Sequence, residues 1–98
     1  MPLDLLILQA VHAGPRHGYA IARWISDASG DALRIEEGSL YPALHRLEEK
    51  GWLASSWKES ETGRRAKFYR LTRAGRRALT QERTAWHALV KGVGKVMS

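Results

Sequence analysis

The chain has 98 residues, 16 Lys plus Arg against 10 Asp plus Glu, a formal net charge of +6, four Trp and no Cys. A chain of this size holds one domain and buries only roughly 60 to 65 % of its unfolded surface, so a small core must suffice or a second copy must help. The missing cysteines exclude a disulfide scaffold and thiolate metal sites. The apolar stretch 3 to 11 carries Asp4 and lacks the flanks of a secretory signal, and no apolar run approaches roughly 18 residues, so the expectation is a cytoplasmic domain with no membrane span.

Leu3, Leu5, Leu6, Ile7, Leu8, Ala10 and Val11 are apolar on nearly every side of a helix, which reads as a buried first helix over 3 to 13, ended by Gly14 and Pro15. A second helix is expected over 19 to 29, where Ile21, Trp24, Ile25 and Ala28 recur at three and four residues before Gly30. Leu33, Arg34 and Ile35 read as a short extended piece, no more than an edge strand. Pro42 is tolerable only in a first turn, so a third helix should start near Glu37 to Ser39, and Gly51 suits the left-handed residue that closes it. Leu40, Ala43, Leu44 and Leu47 share one face of that helix. At about 100° per residue Tyr41, Pro42, His45 and Glu49 lie opposite, with Arg46 at the margin.

Residues 52 to 58 and 66 to 71 have strand character and are joined by the polar link 59 to 65, giving a hairpin with a basic tip. Thr72 can cap a last helix, in which Leu79, Arg83, Trp86, Val90, Val93 and Met97 alternate at four and three residues. A seam of that spacing wants a partner helix. Gly92 and Gly94 each weaken it by about 1 kcal/mol relative to Ala, so the last turn is expected to fray.

The charge is unevenly placed along this order. Residues 1 to 60 hold six basic and eight acidic groups; residues 61 to 98 hold ten basic groups and only Glu61 and Glu82. Between Arg64 and Arg77 stand seven basic groups and no acid. Scattered charges usually form a solvated face, but an Arg-rich block of one sign suits a polyanion, nucleic acid or a membrane surface. Nothing favours an enzyme: there is no P-loop, no Rossmann glycine pattern and no nucleophile–base pairing. His12, His17, His45 and His87 are too dispersed for a metal site, and no cofactor is expected.

Helix, helix, short strand, helix, hairpin, helix is the order of a winged helix-turn-helix, a mainly α (α+β) fold with a two-stranded wing. The expected organisation is a DNA-binding unit over 1–71 and a long C-terminal dimerisation helix over 72–98. In this fold the third helix enters the major groove and the wing reaches the backbone or the neighbouring minor groove.

Leu5-Leu6-Ile7-Leu8, His17-Gly18-Tyr19 with Ile21, Glu37-Gly38-Ser39-Leu40-Tyr41-Pro42-Ala43-Leu44 with Arg46-Leu47-Glu48, Gly51-Trp52-Leu53, Gly63-Arg64-Arg65-Ala66-Lys67-Phe68-Tyr69 and Leu71-Thr72-Arg73-Ala74-Gly75 form a set. As a set they resemble the PadR family of bacterial transcriptional regulators, in its subfamily with a short C-terminal end. The resemblance implies a dimeric regulator, in most members a repressor, that binds double-stranded DNA at a near-palindromic operator through the third helix and wing. Some members resemble drug sensors that hold flat aromatic compounds between Trp residues at the dimer interface.

The candidate DNA contacts are Tyr19, Ser39, Tyr41, Pro42, His45, Arg46, Arg64, Arg65 and Lys67. Ser39 is an N-cap or a phosphate ligand; His45 and Arg46 have reach to base edges, and Arg46 could equally pair with a surface acid. Arg64, Arg65 and Lys67 are placed together at the hairpin tip, where three cations repel one another unless an anion neutralises them. Arg73, Arg76 and Arg77 suit either phosphate or solvent. The candidate dimer contacts are Leu79, Trp86, Leu89, Val90, Val93 and Met97, with Trp86 also a candidate contact for a small-molecule effector. Trp24, Trp52 and Trp57 read as core or hairpin packing. The competing reading is a protein–protein interaction module whose basic patch is incidental; binding to RNA or to a membrane surface rests on charge alone, and the membrane version lacks a basic amphipathic helix with aromatic anchors.

Overall fold

The computed structural model describes residues 2–98. It comprises α1 (Leu3–His12), β1 (Arg16–His17), α2 (Gly18–Ala28), α3 (Glu37–Glu49), β2 (Leu53–Glu59), β3 (Arg65–Leu71) and α4 (Arg73–Met97), with an antiparallel sheet ordered β1-β3-β2. This is the winged helix-turn-helix expected from the sequence. The core lies where α1, α2, α3, the sheet and the start of α4 meet: Ile7, Leu8, Ile21, Ile25, Leu40, Leu44, Leu47 and Leu53 are all fully enclosed. All but Leu53 come from the three- and four-residue repeats of the helices, so burial of about 1.5 to 3 kcal/mol each follows directly from the pattern.

Several local devices fix how the elements meet. Arg16 donates from Nη1 to the carbonyls of Ala10 at 3.0 Å and Gly14 at 2.8 Å, capping the end of α1 with a cation that suits the helix dipole, and its guanidinium lies over the Trp24 ring. His17 is the N-cap of α2: its Nδ1 accepts from Ala20 N–H at 3.2 Å, while its ring meets Phe68 edge-on. Thr72 caps α4 as expected, accepting from Gly75 N–H at 3.0 Å, and its hydroxyl donates to the Gly51 carbonyl at 2.6 Å. Gly51 has φ +77°, the left-handed closure of α3. Gly75 admits no side chain at all, because a Cβ there would stand 2.0 Å from the Trp52 carbonyl oxygen. The Thr72 and Gly75 pair thus seats α4 on the Gly51–Trp52 corner.

Four expectations change. Residues 33 to 35 are not a strand. They form a connection in which Leu33 N–H donates to Ser29 Oγ at 3.0 Å, and the third strand is Arg16–His17, paired with Tyr69 and Phe68. The free edge of β3 faces the start of α2, so the two residues leading into that helix reach it, whereas Leu33 and Ile35 are drawn to the core by their side chains. Ser39 is not the N-cap of α3, which begins at Glu37 after Glu36. Leu79 is 3 % exposed in the chain's own core, so the apolar face left open on α4 begins at Trp86. The last turn of α4, expected to fray after Gly92 and Gly94, is helical through Met97.

Candidate nucleic-acid interface

The outward face of α3 follows from its inward one. With Leu40, Ala43, Leu44 and Leu47 buried, Ser39, Tyr41, Pro42, His45 and Arg46 are left exposed. Pro42 is the sixth residue of α3 and not in its first turn as expected, so its missing N–H leaves the Gly38 carbonyl without its i+4 partner on the exposed face. Tyr41 lies across the amino end of α2, and the absence of a side chain at Gly18 makes this possible: a Cβ there would stand 2.8 Å from Tyr41 Cε1. The His17-Gly18-Tyr19 stretch therefore supplies a cap, a bare backbone for Tyr41, and the exposed Tyr19, whose hydroxyl accepts from Arg23 Nη1 at 3.3 Å.

Two side chains on the far half of α3 are held by partners. His45 Nε2 is 2.7 Å from Glu49 Oε1, one turn along. Arg46 pairs with Asp4 of α1 rather than with a neighbour on its own helix. That partner is 42 residues away in the chain, beyond the reach of spacing arguments.

The wing lies against the same helix. Leu53 to Glu59 pair in register with Leu71 to Arg65, and the loop between the strands closes through Ser60 N–H to the Arg64 carbonyl at 2.7 Å and a left-handed Gly63 at φ +80°. Glu48 clamps the hairpin to α3, accepting from Ser55 Oγ of β2 and standing 3.2 Å from Lys67 Nζ of β3. The Ser55 hydrogen bond, followed by Lys67, holds the Glu48 carboxyl below its ordinary range despite opposing desolvation.

Lys67 is therefore not at the tip. It is partly buried on the flank of the wing, with its ammonium also 5.7 Å from the Tyr69 ring centroid. The tip cations are Arg64 and Arg65, both exposed and neither in an ion pair among the described residues. Arg73, Arg76 and Arg77 are exposed on the first turns of α4.

Sequence reasoning missed two participants. Glu48 has no role legible in the sequence, because its partners Ser55 and Lys67 sit on strands that only the fold brings alongside. Trp57 looked like packing, yet it is 61 % exposed. It flanks a recess of about 450 Å³ lined by His17, Gly18, Tyr19, Tyr41, Ala66, Lys67 and Tyr69 as well. At the other end of the molecule, Trp86 borders a recess of about 380 Å³ between α1 and α4, with Pro2, Leu5, Glu82, Ala85 and Leu89. Leu89, Val90, Val93, Val96 and Met97 continue that apolar face along the projecting half of α4, all of them exposed.

Residues 7–81 match the sequence model of the transcriptional regulator PadR-like family. A transcriptional regulator of Mycobacterium tuberculosis is 42 % identical over 71 residues, spanning 71 % of this chain and 65 % of that protein. A transcriptional regulator from Clostridium thermocellum superposes with a TM-score of 0.88 at 29 % identity, covering 98 % of this chain and 93 % of that one. A PadR family transcriptional regulator from Eggerthella lenta gives 0.83 at 36 %, covering 98 % and 81 %. With the interlocking of Gly18 with Tyr41, Gly75 with Trp52 and Glu48 with the wing, these matches establish that the chain belongs to the PadR-like family of transcriptional regulators.

Proposed function

We propose that the chain is a dimeric, sequence-specific DNA-binding repressor, released from its operator by a small-molecule effector. The observation that carries the reading is the exposed face of α3, with Ser39, Tyr41, Pro42 and His45, standing beside a hairpin whose tip presents Arg64 and Arg65 without acidic partners among the described residues. In this reading α3 enters the major groove and the tip follows the phosphate backbone. Arg46 serves through its grip on Asp4, which orients the helix, and reaches a base edge only by exchanging that partner. Tyr19, Tyr41 and Lys67 contact backbone beside α3.

Dimerisation is supported by the open face of α4. A helix of 25 residues spans about 38 Å, and beyond Glu82 every one of its residues is exposed. A helix that long draws most of its stability from packing, and Trp86, Leu89, Val90, Val93 and Met97 give a second copy an apolar stripe to cover. Two α3 helices held in this way read half-sites about 34 to 36 Å apart. Trp86, at the junction of that stripe with the α1/α4 recess, is the effector contact in this scheme.

Selection of bound duplexes from a random pool at two salt concentrations tests the whole reading. An enriched inverted repeat is expected, together with a loss of about 1.8 from the log–log salt slope in an Arg64→Ala, Arg65→Ala double variant. Absence of any enriched sequence, or a monomer at tens of micromolar by light scattering, overturns it.

A further inference from the structure

Trp57 has no structural reason to be a tryptophan. It sits on β2 opposite Lys67, but the Lys67 ammonium is turned away toward Glu48 and the Tyr69 ring, and no aromatic or cationic partner stacks on the indole among the described residues. A strand position this exposed is equally well filled by Thr or Lys, so a large apolar side chain here is a surface awaiting contact. Two more exposed aromatics share the recess, Tyr19 at 64 % and Tyr41 at 47 %. His17 and Gly18 at the start of α2 also line it, where His17 Nδ1 accepts the Ala20 N–H. The recess is therefore aromatic on its walls and continuous with α3 and with the Arg64 and Arg65 tip.

We infer that this recess seats one sugar–phosphate strand of bound duplex DNA, with Trp57 packed on deoxyribose and the strand's phosphates continuing to the Arg64 and Arg65 tip. The inference rests on the DNA-binding reading above and adds to it a site and a residue. The recess is lined by Tyr41 of α3 and by Trp57 of the wing, the two elements that the reading above sets against the duplex. Trp57 is neutral, so its contribution is apolar contact rather than counterion release and does not change with salt. The walls touch backbone and not base edges, so Trp57 strengthens binding to every sequence alike.

The test uses the full chain with Trp57→Ala and Trp57→Phe, titrated by fluorescence anisotropy against the selected operator and a random duplex at two salt concentrations, with Arg64→Ala, Arg65→Ala in parallel. The expected result is an affinity loss of about five- to tenfold for Trp57→Ala on both duplexes, an unchanged salt slope, and recovery of most of the loss in Trp57→Phe. Intrinsic fluorescence that changes on DNA addition in the wild type, and changes less in Trp57→Phe, is the matching spectroscopic result; the Phe variant keeps the test decisive should the Ala variant fold poorly. The inference is overturned if Trp57→Ala binds both duplexes like wild type while the arginine variant weakens, which leaves the broader reading standing. It is overturned in favour of a base contact if only the operator is affected. If the arginine variant also retains wild-type affinity and slope, the wing assignment and this inference fall together.

Discussion

Gly75→Ala and Gly92→Ala make the same chemical change in the same helix and should move stability in opposite directions. At Gly75 an added Cβ would lie 2.0 Å from the Trp52 carbonyl oxygen, 2.9 Å from its carbonyl carbon and 3.1 Å from Leu71 Cδ2. A carbon–oxygen contact needs about 3.3 Å, so the start of α4 must back away by more than about 1 Å. Backbone is the obstacle, so no rotamer change relieves it. The retreat strains the Thr72 N–H bond to that carbonyl at 3.1 Å and the Thr72 hydroxyl bond to Gly51 at 2.6 Å, each worth about 1 kcal/mol net. Overpacking adds about 1 to 3 kcal/mol, and the better helix propensity of Ala returns about 1. The expected loss is about 2 to 4 kcal/mol, a large share of the roughly 5 to 15 kcal/mol available to a domain of this size, and a fall of about 10 °C or more in Tm. At Gly92 an added Cβ meets no atom of another segment within 4 Å, so Ala there gains up to about 1 kcal/mol. Urea denaturation followed by Trp fluorescence and far-UV circular dichroism, at several protein concentrations to separate folding from association, measures both. A Gly75→Ala variant as stable as wild type would refute the seating of α4 on the Gly51–Trp52 corner.

Gly18→Ala should push the Tyr41 ring off α2 while leaving the fold intact, because the obstacle is the outer end of an exposed side chain; about 1 kcal/mol or less of stability and about a fivefold loss of operator affinity are expected, non-additive with Tyr41→Ala in a double-mutant cycle. Asp4→Asn and Arg46→Ala, combined in the same way, should show a coupling of about 0.5 to 1 kcal/mol between α1 and α3 that shrinks in high salt, since both partners retain solvent contact. Glu48 titrates below its ordinary range in the folded chain, so the stabilisation it provides is complete above the unfolded carboxylate's pKa and is lost as pH falls through the folded value. Glu48→Gln should therefore lower the urea midpoint at neutral pH and narrow the gap to wild type across the acidic range; an equal gap at all pH values would count against the Ser55 and Lys67 clamp.

The order of elements was legible because each helix carries its own repeat and its own stop: Leu40, Ala43, Leu44 and Leu47 with Gly51 define α3 without reference to any other segment. Its outward face, Tyr41, Pro42 and His45, was legible for the same reason, since what a helix buries determines what it exposes. Thr72 as a cap was equally local. The misreadings mostly concern partners distant in the chain. Leu33 to Ile35 has strand composition, but the edge of β3 is occupied by Arg16 and His17. Arg46 finds Asp4, Lys67 finds Glu48, and Leu79 belongs to the core rather than to the open seam.

The order of residues places each element, shows which face of it is apolar, and gathers the positive charge after residue 61. Periodicity, capping and composition act over one or two turns and need no fold to be read. Tertiary structure alone decided which glycines are spaces for another residue, which cations are already neutralised, and that Trp57 stands in the open beside Tyr19 and Tyr41. Those are distances between segments tens of residues apart, set by how a helix and a hairpin dock, and side-chain chemistry at one position carries no record of them.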